Sequence, residues 1–257
     1  MIYGFIGTGT ISAAMIEGMM SSSLEVTKIL VSPRNAEVAV DLALRFSKVE
    51  IASDNQKVAD AAEVLVLAVR PQVVDEVLSS LRIPPGRTVI SVIAATSHER
   101  VAELIGYPEQ EIIRAIPLPF VASRDGVTAV FPSREKASSL FSAIGEAVEC
   151  ESQKEFDLLA VASATMGSYY GIMEQVAGWL VAKGMAEEKA RSYLTPLFSS
   201  LAHVAEKSRD RTYANLRCEF STRGGLNEQV FQDFLGNGGS DALLSALNKV
   251  LRRAEGA

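Results

Sequence analysis

The stretch Tyr3-Gly4-Phe5-Ile6-Gly7-Thr8-Gly9-Thr10-Ile11-Ser12 decides how the rest of the chain is read. Tyr3–Ile6 is an apolar run of strand length, and from Ile11 to Met20 the pattern turns helical. Between them lies a G-x-G turn, Gly7-Thr8-Gly9. Such a turn after a strand and before a helix lets backbone N–H groups approach a pyrophosphate, and the helix N-terminus adds a favourable dipole. Ser12 stands where a third glycine is usual and is small enough for helix–strand contact. The plain alternative is a tight turn without a ligand.

Outward from this stretch the alternation continues. Ile29–Ser32, Val64–Val69, Val89–Ile93, Ile112–Ile116 and Val127–Phe131 read as strands, with helical patterns at Ala36–Phe46, Val73–Leu81 and Glu99–Ile105. Strands alternating with helices imply a mostly parallel sheet, and wholly apolar strands imply cover on both faces. The expectation is a Rossmann-type, doubly wound α/β domain over residues 1–152. From residue 153 to 257 the reading is all-helical, with long helices at Glu155–Ala182 and Glu187–Lys207 and further ones at Arg209–Leu216 and Asp241–Arg253. Gly236–Gly239 reads as a turn. The small residues of Ala160–Gly178 suggest close helix packing, either inside the domain or across a subunit interface.

Composition excludes several classes. Of 257 residues 48% are hydrophobic and 22% charged, the balance of a soluble globular protein. The longest apolar run, Val64–Val69, is far short of a membrane span, and MIYGFIG carries no basic lead into an apolar segment, so a cytoplasmic protein without a secretory signal is expected. Cys150 and Cys218 are too few for a disulfide framework or a structural zinc site, and His98 and His203 make no metal cluster. The formal charge is 25 − 31 = −6, which argues against a nucleic-acid partner. All of that excess precedes Gln153: 13 Lys+Arg against 19 Asp+Glu before it, 12 against 12 from it onward. A polyanionic cofactor must therefore be captured by local groups, not by the overall field.

The end of the second strand indicates which dinucleotide. Where NAD sites usually place an acidic residue, this chain has Ser32-Pro33-Arg34-Asn35. Hydroxyl, guanidinium and amide groups suit a 2′-phosphate, so NADP (as NADPH) is expected over NAD, which stays possible. The bland reading is a surface arginine in an ordinary loop. An acid/base group is harder to find: His98 at a helix start suits capping or solvent, His203 is mid-helix, and Lys183 is near a helix end. That scarcity points to a substrate already primed for hydride attack, such as a cyclic imine.

Several motifs together resemble the Δ1-pyrroline-5-carboxylate reductase family. They are GFIGTGTIS, Ala68-Val69-Arg70-Pro71-Gln72, Ile113-Arg114-Ala115-Ile116-Pro117, Ser163 with Tyr169, and Ser221-Thr222-Arg223-Gly224-Gly225, in order along the whole chain. The resemblance implies an NADP-binding Rossmann-type domain, a helical dimerisation domain interlocking in a homodimer or higher homo-oligomer, and reduction of pyrroline-5-carboxylate to L-proline. It implies that Gly7, Thr8, Gly9, Thr10 and Ile11 hold the pyrophosphate, that Ser32 and Arg34 contact the 2′-phosphate, and that Asn55 lies near the adenosine ribose. Ala68, Val69, Arg70 and Pro71 would line the cofactor, and Ala94 and Ala95 would sit beside the nicotinamide. On the substrate side it implies Pro117, Tyr169, Arg223, Gly224 and Gly225 as binding residues, with Ser163 and Asn227 at the reacting bond and no metal.

The substrate motifs depart from the family's pattern. Its M-P-N-T-P becomes Ile116-Pro117-Leu118-Pro119-Phe120, and its S-P-G-G-T-T becomes Thr222-Arg223-Gly224-Gly225-Leu226-Asn227. Asn227 can still donate a hydrogen bond from the threonine position, and Arg223 could pair with a carboxylate or face solvent. Three functions stay open: pyrroline-5-carboxylate reduction, NADPH-dependent reduction of a different cyclic imine, and an NADP-binding regulatory protein without catalysis.

Overall fold

The computed structural model describes residues 1–108 and 111–254; residues 255–257, the end of the helical segment, lie outside them. The chain forms two compact units, Met1–Ala160 together with the chain end from Leu251, and Val161–Val250.

The first unit is one sheet covered on both faces. Its strands are β1 (Ile2–Ile6), β2 (Lys28–Val31), β3 (Val49–Ile51), β4 (Val64–Leu67), β5 (Thr88–Ser91), β6 (Ile112–Ile116), β7 (Gly126–Phe131) and β8 (Gly145–Glu149). Their order across the sheet is β3-β2-β1-β4-β5-β6-β7-β8. All neighbours are parallel except β6 and β7, which run antiparallel with Arg114 opposite Phe131. Because side chains alternate along a strand, each apolar strand feeds two cores. Tyr3, Phe5, Val64, Val66, Ile90 and Ile113 point to one face, while Ile6, Leu65, Leu67, Val89 and Ile112 point to the other.

Helices close each face. On the first, α1 (Thr10–Ser21), α2 (Ala36–Arg45) and α6 (Glu135–Ala143) bring Met15, Ile16, Leu42 and Phe141, all fully buried. On the second, α3 (Asn55–Ala61), α4 (Val74–Leu78) and α5 (His98–Ile105) bring Val58, Leu78 and Val101. Full burial of such side chains contributes roughly 1.5–3 kcal/mol each, which is why wholly apolar strands persist here. At the far edge α7 (Gln153–Ser163) docks through Phe156, 1% exposed, with the Arg114 guanidinium 4.5 Å from its ring centre and 3.3 Å from Asp157. Burial pulls Arg114 below the usual arginine range, opposed by the Asp157 carboxylate.

The second unit is helical: α8 (Met166–Ala182), α9 (Glu187–Lys207), α10 (Tyr213–Glu219), α11 (Leu226–Gly236) and most of α12 (Gly239–Ala254). No residue of α8 is buried, and Tyr170, Ile172 and Trp179 stand out, Trp179 at 61% exposure. The small-residue segment is therefore not an internal core helix of this unit.

Several expectations need correction. The helix expected over Glu155–Ala182 is two helices, broken where Thr165 donates its hydroxyl to the Ala162 carbonyl at 2.7 Å, a local bond that competes with the helical one. The helix expected at Arg209–Leu216 starts later, because Thr212 caps it by accepting from Asn215 N at 3.2 Å. Strands β3 and β8 and helices α3, α6 and α11 come in addition to the elements bounded above: the strands are short and half polar, and the helices run for only 7, 9 and 11 residues. His98 is neither a cap nor solvated. Ser97 caps α5, and buried His98 places Nε2 2.7 Å from the Ile112 carbonyl, edge-on to Phe131. His203 lies mid-helix as expected, at the surface and 3.6 Å from Glu206.

Candidate functional site

The strand order reverses between β1 and β4, and the crevice outside the carboxyl ends of those strands is where open α/β sheets bind ligands. Gly7 follows β1 with φ +99°, and a Cβ there would lie 2.4 Å from the Ala68 carbonyl oxygen just beyond β4. Only glycine fits both the backbone conformation and that approach. Gly9, the residue before α1, has φ −103°, and a Cβ built on it meets nothing within 4 Å. The loop is thus packed against the sheet at Gly7 and open at Gly9. The first turn of α1 holds no acidic residue and no side-chain cap, so its leading amides lack an intrahelical acceptor and remain available to an anion.

A small buried network fixes this loop. Gly7 N donates to Ser32 Oγ at 2.9 Å, and Thr8 Oγ1 donates to the Ser32 carbonyl at 2.7 Å. The Thr8 and Ser32 hydroxyls are 3.1 Å apart, and Ser12 Oγ donates to the Gly7 carbonyl at 2.5 Å. Ser32, Thr8 and Ser12 are 1%, 3% and 0% exposed. Immediately after Ser32, Arg34 is exposed and Asn35 precedes α2 without capping it through its side chain.

The other cofactor-side residues share this rim. Asn55 opens α3 behind Asp54, whose carboxylate accepts from Lys57 N at 2.8 Å. That bond and the Ser53 hydroxyl hold the Asp54 carboxyl below its ordinary range. Ala68, Val69 and exposed Arg70 continue from β4 into a 3₁₀ turn that starts at Pro71. Ala94 and Ala95 follow β5 and are exposed, and Ala95 has φ +51°, a strained value for alanine. The residues expected at the dinucleotide thus follow the carboxyl ends of β1, β2, β3, β4 and β5, neighbours in the sheet. Pro117 is buried just after β6.

In the second unit the residues assigned to the substrate divide. Tyr169 stacks edge-on against Tyr170 and Phe198 and lines a hollow of about 770 Å³ with Glu174, Arg191 and Thr195. Ser163 ends α7, and neither it nor the 223–227 loop borders that hollow. In the loop Gly224 has φ +72°, and Gly225 N donates to the Thr222 carbonyl at 2.8 Å, closing a turn before α11. Arg223 is exposed. Gly224 N donates to Glu228 Oε2 at 2.6 Å, and Asn227 Nδ2 donates to the Phe220 carbonyl at 2.6 Å, tying α11 to the end of α10. Glu228 is absent from the residues expected at the site, although a glutamate three residues after a helix-entry position is a known signal for a bond back to the chain. Among the described residues no His, Cys, Asp and Glu group could hold a metal.

A family model described as "NADP oxidoreductase coenzyme F420-dependent" matches residues 2–95, and one described as "Pyrroline-5-carboxylate reductase dimerisation" matches residues 153–257. The chain is similar to the pyrroline-5-carboxylate reductase of Synechocystis sp., 26% identical over 261 residues covering 98% of this chain and 96% of that one. Among solved structures it is similar to the 1-pyrroline-5-carboxylate reductase of Streptococcus pyogenes, with TM-score 0.85, 21% identity, and 100% and 99% of the two chains covered. It is also similar to the Plasmodium falciparum pyrroline carboxylate reductase with NADP bound, with TM-score 0.82, 17% identity, and 99% and 97% covered. At these identities the structural likeness shows the fold.

Proposed function

The chain belongs to the pyrroline-5-carboxylate reductase family, and on that footing we propose that it reduces the C=N bond of Δ1-pyrroline-5-carboxylate with NADPH to give L-proline, a step of proline biosynthesis. The observation that carries the reading is the Gly7–Ile11 loop at the switch point of the sheet, closed against Ala68 and open at Gly9. The open face fits a pyrophosphate, which would take the Thr8, Gly9, Thr10 and Ile11 amides, while Arg34 and Asn35 suit a 2′-phosphate. Asn55, Ala68–Pro71, Ala94 and Ala95 would complete the wall. Bound NADPH supplies the hydride, and the imine nitrogen takes its proton from water or a neighbouring hydroxyl. The chain's own work is then positioning, which alone can supply a large share of a rate.

On the substrate side, Arg223 and the second Asn227 amide hydrogen are assigned to the carboxylate and imine, while the Gly225 N–H is held by the Thr222 carbonyl; Pro117, Ser163 and Tyr169 are further residues we assign to substrate binding. We divide the labour at 152/153, where the second family model begins. The exposed apolar face of α8 supports a homodimer or larger homo-oligomer. No helix is long and apolar enough to cross a membrane among the described residues. Two free thiols suit a reducing, cytoplasmic setting.

The test is NADPH oxidation measured with pyrroline-5-carboxylate and scored by proline formation. Turnover supports the assignment, and well-folded, NADPH-binding protein without turnover removes it. One observation favours a second reading, reduction of a different cyclic imine: the Gly224 amide is already held by the Glu228 carboxylate. A panel that includes pyrroline-2-carboxylate and sulfur-containing rings separates the two by kcat/KM.

A further inference from the structure

Every hydrogen-bonding group of Ser32 already has a partner inside the first unit. Its N–H donates to the Phe5 carbonyl at 3.0 Å, and its carbonyl accepts from Thr8 Oγ1 at 2.7 Å. Its Oγ accepts from Gly7 N at 2.9 Å and lies 3.1 Å from Thr8 Oγ1. Because the Thr8 hydroxyl hydrogen goes to the Ser32 carbonyl, the hydroxyl–hydroxyl contact is served by the Ser32 hydrogen. At 1% exposure the Ser32 side chain has no open side toward a ligand.

From this we infer that Ser32 is a positioning residue, a clamp that sets the shape of the Gly7–Ile11 loop, and that it does not bind the 2′-phosphate. The inference rests on the dinucleotide reading above and divides its labour. Discrimination between NADPH and NADH falls to the exposed groups after Ser32, Arg34 foremost. Ser32 and Thr8 serve the part that both nucleotides share. Ser32 thus holds Gly7 N and the Thr8 hydroxyl, while a Cβ built on Gly9 would meet nothing within 4 Å, which leaves that side of the loop open. Removing the clamp leaves the half-buried Gly7 N–H without its acceptor and frees the loop, so binding weakens for any dinucleotide.

Calorimetric titration of the full chain with NADPH and with NADH tests this on wild type, Ser32→Ala, Thr8→Val and Arg34→Ala. Ser32→Ala and Thr8→Val should each raise both dissociation constants by a common factor, on the order of tenfold, leaving their ratio unchanged. Amide exchange should quicken over 7–11. Arg34→Ala should raise the constant for NADPH alone. Thr8→Val keeps the test alive should Ser32→Ala fail to fold, because it cuts the other half of the clamp. A Ser32→Ala loss confined to NADPH overturns the inference, as does unchanged binding of both nucleotides. A wild-type chain that binds neither nucleotide overturns the dinucleotide reading itself and this inference with it.

Discussion

One methyl group added at either of two positions, Gly7→Ala or Gly9→Ala, should separate folding from cofactor binding. At Gly7 the new Cβ would lie 2.4 Å from the Ala68 carbonyl oxygen and 2.6 Å from its carbon. That is about 1 Å inside ordinary contact, and Ala68 cannot retreat easily because its N–H is bonded to the Ile6 carbonyl at 2.8 Å. The residue would also hold φ +99°, which costs an L-residue about 1–2 kcal/mol, and overpacking adds about 1–3 kcal/mol. A loss on the order of 3 kcal/mol lowers Tm by roughly 6–12 °C for a chain of this size. At Gly9 the Cβ meets nothing and φ −103° is ordinary, so stability should change by less than about 1 kcal/mol. The methyl would stand where the open backbone face receives the pyrophosphate, and NADPH affinity should fall at least tenfold, about 1.4 kcal/mol. Thermal melts without ligand and calorimetric NADPH titrations read the two effects separately. Wild-type NADPH binding by Gly9→Ala refutes the placement of the pyrophosphate on that face, and a wild-type Tm for Gly7→Ala refutes the tight packing of loop on sheet.

Three further changes probe other parts of the chain. Asp157→Asn strips the charge partner from a largely buried Arg114 and should cost about 2 kcal/mol in denaturant unfolding, reduced from the usual value because both side chains keep 12% and 16% exposure; a cost under about 0.5 kcal/mol means the pair is no strut. The Asp54 carboxyl is held below its ordinary 3.8 in the fold, so its capping contribution is complete above that value and fades as pH falls through the lower folded one. The Tm gap between wild type and Asp54→Asn should therefore narrow as pH falls below 3.8, and a constant gap refutes a charge-dependent cap. Glu228→Gln removes a negative charge from the Gly224 amide, so KM for pyrroline-5-carboxylate should drop several-fold with NADPH affinity unchanged; an unchanged KM means the substrate carboxylate does not approach that amide.

Sheet and dinucleotide loop are legible in the sequence because their signals are local and redundant. The apolar run before Gly7 has the length of a buried strand, and the G-x-G spacing marks the turn from that strand into α1. Helix α11 is only partly legible: Leu226, Val230 and Phe234 recur at helical spacing after the Gly224-Gly225 turn, but over just 11 residues. The break at Thr165 turns on one hydroxyl finding a carbonyl three residues back, which no periodicity reveals. The partners of Ser32 and Asn227 are invisible for a similar reason. Residue type says what a side chain can bond, but Gly7, 25 positions away, becomes the partner of Ser32 only once β1 and β2 lie side by side.

Trp179 is the chain's single tryptophan, and α8 holds it on an exposed apolar face. Intrinsic fluorescence therefore comes to one known point on the surface through which the chain is proposed to meet its copy. Emission that shifts to longer wavelength on dilution would track dissociation without a dye or a tag, and a quencher such as iodide would report how much of the indole is covered. The first unit contains no indole, so such a signal belongs to the helical unit alone.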